Sequence, residues 1–235
     1  MTDIWSYLSR EPLLWLTATL AAYLIGLALF RAAGQKPLAN PSLLAMLMLA
    51  LLLHLTGTPF ATYFEGAQFV HFLLGPATVC LALPLYDNLP RVRRAALPIV
   101  AALVVGSVTG IVTVLAIGWA FGLPAQILAS MAPKSATAAV AIGVSEQLGG
   151  SPTLTAMMVM LTGLGGAVVV TPLLNAFGLR DWRARGFAVG VAAHGFGTAR
   201  AFQVNPTAGA FAGLGMGLNA MLTAILAPLI LHWFL

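Results

Sequence analysis

Lys134 stands inside an apolar stretch, Ala125–Gln147, whose only other charge is Glu146 near its end. A lysine at the centre of a lipid-facing segment costs about 3 kcal/mol. A side chain held there against that cost is a candidate for function. Pro133 precedes it, removing one backbone donor and disturbing the helix, so carbonyls and amides come free beside the ammonium. Ser135 and Thr137 add hydroxyls. Together these groups suit a bound carboxylate. The alternative reading is a lysine that snorkels to the interface or pairs with Glu146. Glu146 lies twelve residues on, about 18 Å along a continuous helix, so such a pair needs a bend. Glu146 itself reads equally as a proton-coupling carboxylate or a plain interfacial one.

A second constellation runs His194-Gly195-Phe196-Gly197-Thr198-Ala199-Arg200. Its glycines allow another group to approach the backbone. His194 titrates near neutral pH, which suits proton coupling. Arg200 offers a fork for a carboxylate. The plainer alternative is a glycine-rich packing seam with a structural histidine and an interfacial arginine. No soluble strand–helix unit surrounds these glycines, so they do not read as a nucleotide-binding turn.

The elements that must carry these residues are membrane helices. Of 235 residues, 60% are hydrophobic and 7% charged, against about a quarter charged in soluble domains. The mean hydropathy is +0.96. About 20 apolar residues cross the hydrocarbon. The chain therefore holds seven to eight segments in an all-α integral membrane fold, read as a single transmembrane domain over 1–235. The runs are Leu13–Phe30, Pro41–Phe64, Ala67–Tyr86, Ala95–Ala120, Ala125–Gln147, Pro152–Leu179, Gly186–Ala201 and Ala208–Leu235. Asn40-Pro41 reads as a cap and first turn. Trp5, Trp15, Trp182 and Trp233 lie near segment ends and read as interfacial anchors. Gly186/Gly190 and Gly209/Gly213/Gly217 recur at four-residue spacing, as in close helix packing within one chain or between copies. His54, His71 and Asn219, polar residues in apolar runs, read as interhelical hydrogen-bonding groups.

Loops 31–40, 87–94 and 180–185 hold eight of the eleven basic residues, among them Arg91, Arg93, Arg94, Arg180, Arg183 and Arg185. Basic short loops face the cytoplasm, which accounts for the net charge of +5 better than nucleic acid does. With the N-terminus outside, the first four segments alternate so that 31–40 and 87–94 both lie inside. The 180–185 loop joins them only if Ala125–Gln147 breaks and returns. Irregular backbone at that depth must be buried in protein or line a wet cavity. Gly75-Pro76-Ala77-Thr78 and Gly195-Phe196-Gly197-Thr198 interrupt the third and seventh segments about half a chain apart. This suggests inverted-topology halves, 13–120 and 125–235, with Gly75, Pro76 and Thr78 joining Lys134 and the 194–200 stretch at a midplane site.

These same residues resemble the LrgB/CidB family of bacterial membrane proteins. The matching pieces, in the family's order, are Leu74-Gly75-Pro76-Ala77-Thr78-Val79, Pro133-Lys134-Ser135-Ala136-Thr137, Leu148-Gly149-Gly150-Ser151-Pro152-Thr153-Leu154-Thr155, Ala193-His194-Gly195-Phe196-Gly197-Thr198-Ala199 and Gly209-Ala210-Phe211-Ala212-Gly213-Leu214-Gly215-Met216-Gly217. The chain departs at Gly195-Phe196, where the family pattern has a second small residue and then Ile. The resemblance implies an antiholin-like protein of the bacterial cytoplasmic membrane, affecting murein hydrolase activity and lysis beside a small LrgA/CidA-type partner. A related plastid protein exchanges glycolate and glycerate, and bacterial members are linked to pyruvate uptake.

Lysine, arginine and histidine in broken segments fit small monocarboxylates better than a lysis pore. With the substrate class that the resemblance implies, the leading expectation is a transporter of pyruvate-, glycolate- or glycerate-like solutes, with or without coupling to protons. The other is a modulator of a holin-type pore. An enzyme is not expected, since Asp occurs only at positions 3, 87 and 181, outside the apolar runs, and an intramembrane protease wants paired acids or an activated nucleophile. Neither metal nor cofactor is expected, because His54, His71, His194 and His232 are dispersed and Cys80 is alone.

Overall fold

The computed structural model describes residues 11–36, 39–73, 80, 86 and 89–235. Every regular element among them is an α-helix. Gly75, Pro76 and Thr78, and with them the expected third-segment break, lie outside the described residues. The chain divides into two compact units, 1–80 and 81–235.

In the first unit, α1 (Pro12–Ala32), α2 (Pro41–Thr56) and α3 (Phe60–Phe72) pack together. Asn40 caps α2 as expected, its side chain accepting from the Ser42 and Leu43 amides ahead of Pro41. The expected run Pro41–Phe64 is not one helix. Gly57 takes a left-handed conformation (φ 64°) that ends α2, and α3 starts at Phe60. Gly26 admits the Pro41 carbonyl, and Gly66 admits the backbone of Pro12 and Leu16. Trp15 is not an interfacial anchor. It is 1% exposed, with Tyr63 edge-on to its ring at 5.9 Å.

The second unit contains α4 (Leu89–Arg94), α5 (Ala96–Ala120), α6 (Ala125–Met131), α7 (Ala138–Gln147), α8 (Pro152–Ala176), α9 (Trp182–Val204) and α10 (Pro206–Leu231). Among the described residues, α1, α5, α8 and α10 are long and apolar enough to span a bilayer. Helices α5 and α10 run parallel. Ile99 and Leu103 meet Phe211 at one end, while Ile111, Val114 and Leu115 meet Ala227 and Leu231 toward the other.

The fifth segment turns back. Helix α6 descends antiparallel to α5, with Leu128 against Gly118 and Ser135 facing Gly110. After the break at 132–137, α7 returns to its starting level. There the Ser151 amide donates to Ser130 Oγ (2.7 Å), and the Thr155 hydroxyl bonds the Ser130 carbonyl (3.1 Å) and Ser145 Oγ (2.6 Å). A straight helix would carry residue 145 about 22 Å away from residue 130.

The seventh segment turns back as well, from the opposite end. It is longer than the expected Gly186–Ala201. Its helical geometry breaks at Ala193 (φ −127°, ψ 17°) and His194 (φ 38°, ψ −131°). Gly197 then lies against Val189, where a Cβ would sit 2.7 Å from Val189 Cγ1. Eight residues of continuous helix would separate the two by about 12 Å. The first arm, 182–192, runs parallel to α10, with Gly186 and Gly190 pressed on the Ala208 and Ala212 carbonyls. The second arm, 195–204, runs antiparallel to it through the cap residue Asn205, whose side chain accepts from the Thr207 and Ala208 amides.

The four-residue glycine pattern is thus not uniform. Gly186 and Gly190 are backbone contacts, Gly209 abuts the Phe202 ring, and Gly217 faces open space.

The first of these reversals brings the basic stretches 89–94 and 180–185 to one end of the unit. Val92 and Ala95 pack on the Ile99–Phe187–Phe211 cluster, and Asp181 caps α9 beside it through the Arg183 amide (2.8 Å). Cysteines placed at positions 93 and 183, in a Cys80→Ser background, are therefore expected to react with an impermeant maleimide from the same side of the membrane. They should label in inverted vesicles and be silent in intact cells. Labelling of only one in intact cells would reject the turned-back fifth segment.

Candidate functional site

The second unit encloses a cavity of about 600 Å³, within the range of small-molecule sites. Its long wall is one stripe of α5: Ala95, Ile99, Ala102, Gly106 and Gly110, with Ser107 and Ile111 beside them. That stripe spans about 24 Å. The opposite wall is the first arm of α9, from Ala184 and Phe187 to Val191 and Ala192. Small residues line both walls, which is why there is space between the helices.

At the basic end, the cavity reaches Asp181 and Arg183. Their side chains pair at 2.6 Å, both about half exposed. The bond holds the Asp181 carboxyl down to about 2, so the pair stays ionised from neutral pH until strong acid. At the deep end lie Ala132, Lys134, Ser135, Asn219 and Thr223. Beyond them Ile111, Val114, Leu115, Leu128, Ala129, Ala132, Ala227 and Leu231 form a buried apolar cluster. The cavity thus runs from the basic end toward mid-depth and stops at this apolar plug.

Lys134 and Ser135 stand at its floor. The ammonium donates to Ser135 Oγ at 3.3 Å. Thr137 begins α7 without making a side-chain cap and does not line the cavity. Glu146 is exposed near the end of α7, so it is neither the lysine's partner nor at the cavity floor.

The 194–200 stretch is divided by the reversal. His194 lies at the tip of the α9 hairpin, 3% exposed. Its Nε2–H donates to the Val159 carbonyl of α8 (2.9 Å); the carbonyl only accepts, so Nε2 carries the proton. The Phe196 ring meets the imidazole edge-on at 6.0 Å. A non-glycine residue at positive φ carries roughly 1–3 kcal/mol of strain, and these contacts hold it. The two tips both meet α8 at Val159, whose side chain clusters with Ala136 beside Lys134 and whose carbonyl accepts from His194. Thr198 turns its hydroxyl to the His194 carbonyl (2.8 Å). Gly197 makes the contact between the arms, against Ala193 and Val189, and does not line the cavity. Arg200 is carried back toward the basic end. There it lines a shallow groove with Trp182, Arg185, Val189 and Val204, away from Lys134.

The sequence reading left Ser107, Asn219 and Thr223 outside the site. Asn219 reads from sequence as an interhelical hydrogen bonder, and it is one. The Ser107 hydroxyl donates to its Oδ1 (2.6 Å), and its Nδ2 donates to the Ser135 carbonyl (3.0 Å). The signal was present as a lone amide in an apolar run. Only the fold places it beside Lys134. Arg185 is another polar group put to structural use. It donates to Asn175 Oδ1 (2.8 Å) and the Leu179 carbonyl (2.9 Å), and lies over the Trp182 ring at 4.9 Å.

Residues 19–233 match the sequence profile of the LrgB-like family. The chain belongs to the LrgB-like family. It is 34% identical to the holin-like protein CidB of Staphylococcus epidermidis over 200 residues, covering 85% of this chain and 87% of that one. It is 30% identical to the antiholin-like protein LrgB of Bacillus mycoides over 225 residues, covering 94% and 96%. The uncharacterized protein YwbG of Bacillus subtilis is 34% identical over 194 residues, covering 83% and 86%. No solved structure matches the chain. The LrgB-like assignment agrees with the multi-pass membrane character of the helices.

The His194 tip depends on Gly163 of α8. A Cβ there would lie 2.5 Å from His194 Cε1 and 2.7 Å from Phe196 Cδ2, whereas one at Gly165 would meet nothing within 4 Å. Gly163→Ala is therefore expected to destabilise the detergent-solubilised protein by about 1–3 kcal/mol, the scale of overpacking. Gly165→Ala should be neutral or slightly stabilising. Equal thermal melting of the two variants would contradict the packing of the tip on α8.

Proposed function

We propose that this LrgB-like chain is a transporter of small monocarboxylates, pyruvate-, glycolate- or glycerate-like, rather than an enzyme, with Lys134 as the solute's charge partner. The observation that carries this reading is one ammonium at the floor of a cavity of about 600 Å³, set on the tip of a turned-back hairpin. A single cation suits a monoanion. Ser135 and Asn219 supply polar contacts beside it, and the small apolar walls suit a small organic body. The cavity opens at the end carrying Arg180, Arg183, Arg93 and Arg94, and arginines there favour entry of anions. The positive-inside rule assigns that end to the cytoplasm of a bacterial inner membrane.

Two hairpins that enter from opposite ends and meet at mid-depth fit alternating access between inverted elements. The pairing of halves 13–120 and 125–235 remains a proposal of the sequence. His194 retains a place as a coupling residue, through its position opposite Lys134.

A second reading has its own support in the relatives, a holin-like and an antiholin-like protein. In it, the chain modulates a small LrgA/CidA-type pore, and the cavity is a docking or regulatory feature. Reconstitution of the purified chain separates the two. A transporter exchanges labelled pyruvate or glycolate in liposomes by itself, and a modulator gives no flux without its partner.

In the same assay, Lys134→Ala is expected to reduce counterflow at least tenfold while the protein still inserts. Lost flux with normal insertion supports ligation. Flux at the wild-type rate would remove Lys134 from the site.

A further inference from the structure

We infer that Asn219 is a positioning residue for this site, holding the Lys134-bearing tip in the orientation that presents its ammonium to the cavity. The inference rests on the transport reading. It starts from the break at 132–137. Where a helix stops, its last carbonyls lose their donors, and in an apolar interior each orphan is expensive. The backbone amides of Lys134 and Ala136 close local turns onto Met131 and Pro133. The Ser135 carbonyl is taken by the Asn219 amide (3.0 Å).

Asn219 is itself fixed from two sides. Its Oδ1 accepts from Ser107 of α5 (2.6 Å) and, more weakly, from Thr223 one turn along α10 (3.5 Å). It is 1% exposed. One amide therefore joins α5, α10 and the hairpin tip at the cavity floor. The bonded peptide belongs to the residue next to Lys134, whose hydroxyl also receives the ammonium (3.3 Å). Tilting that peptide moves both polar groups that face the solute.

The chemistry of the side chain separates positioning from packing. Asp at 219 keeps the size and still accepts from Ser107, but an ionised carboxylate cannot donate to the Ser135 carbonyl and competes with an anionic solute for Lys134. Ala removes every bond. Ser107→Ala leaves the bond from Asn219 to Ser135 in place.

The test is counterflow of labelled glycolate and pyruvate in liposomes at matched protein content. Asn219→Ala and Asn219→Asp are expected to raise the half-saturation concentration at least fivefold. Ser107→Ala should stay within twofold. Unchanged half-saturation in Asn219→Ala, or an equal effect from Ser107→Ala, would reduce Asn219 to a helix-packing residue and overturn the inference. So would loss of both Asn219 variants from the membrane, which would make the residue a folding determinant.

A measurement without carboxylate flux keeps the two proposals apart. Lys134→Cys, in a Cys80→Ser background, is treated with a charged methanethiosulfonate reagent. Adding Asn219→Ala should accelerate modification at least threefold, because the tip is released from α5 and α10. No flux from the wild type with that acceleration present would reject the solute and keep the tether. Flux with an unchanged modification rate would do the reverse.

Discussion

Peptide groups stripped of their helical partners at mid-depth must find new ones, and the second unit is organised around that requirement. Two chain reversals open the backbone, one at 132–137 and one at 193–194. Water is scarce there and an unmet carbonyl is costly. Each reversal is therefore served by a side chain from a neighbouring helix or by its own second arm. Asn219 reaches from α10 to the Ser135 carbonyl. Thr198 bonds the His194 carbonyl from within the hairpin. The imidazole of His194 runs the relation in the other direction, donating to Val159 in an intact helix. These bonds fix which way the tips face, and the position of Lys134 follows from them.

The two hairpins are secured by different means. The α9 hairpin presses glycines onto α10 carbonyls at Ala208 and Ala212, a contact that has no room for any side chain and leaves little slack. The hairpin of α6 and α7 closes on hydroxyls, with Ser130, Ser145 and Thr155 all fully buried. Thr155 has one proton and three oxygens within reach: Ser130 O, Ser145 Oγ and Ser151 O. A hydroxyl exchanges acceptors by rotation, without moving the backbone. The hairpin that carries the charge is thus the one whose arms close on adjustable bonds, away from its tip.

Much of this was legible in the sequence where a residue violated its surroundings. Lys134 in an apolar run, Pro133 before it and three basic loops were enough to require a broken fifth segment, and the fold has one. The family resemblance was legible from the same motifs. Other features depended on direction, which residue types do not carry. Six residues separate His194 from Arg200, and a continuous helix would have kept them about 9 Å apart along one axis. The reversal at His194 instead sends Arg200 toward the basic end. Glu146 was similarly placed by the return of α7. Trp15 satisfied the pattern of an interfacial anchor, but Gly66 lets α3 come close enough to bury it. Ser107 and Asn219 were ordinary polar residues 112 positions apart until α5 and α10 ran parallel.

The positions of the polar groups along the cavity also bear on how charge is handled. The exposed ion pair of Asp181 and Arg183 sits at the mouth, solvated and locally neutral. The cation at the floor is Lys134, and its ammonium donates to a neutral hydroxyl, that of Ser135. An internal carboxylate there would neutralise the ammonium and compete with any anion that entered. Glu146, the acid in the same segment, is instead turned to the surface by α7. The fold therefore separates the segment's two charges, leaving the positive one at the end of a small-walled passage and the negative one outside it. An anion entering from the basic end meets a paired charge first and the deeper ammonium last, against a plug of Leu115, Leu128 and Ala227 that offers it no further polar contact. Under the transport proposal, a solute would reach the far end only if the elements forming the plug moved relative to the Lys134 tip.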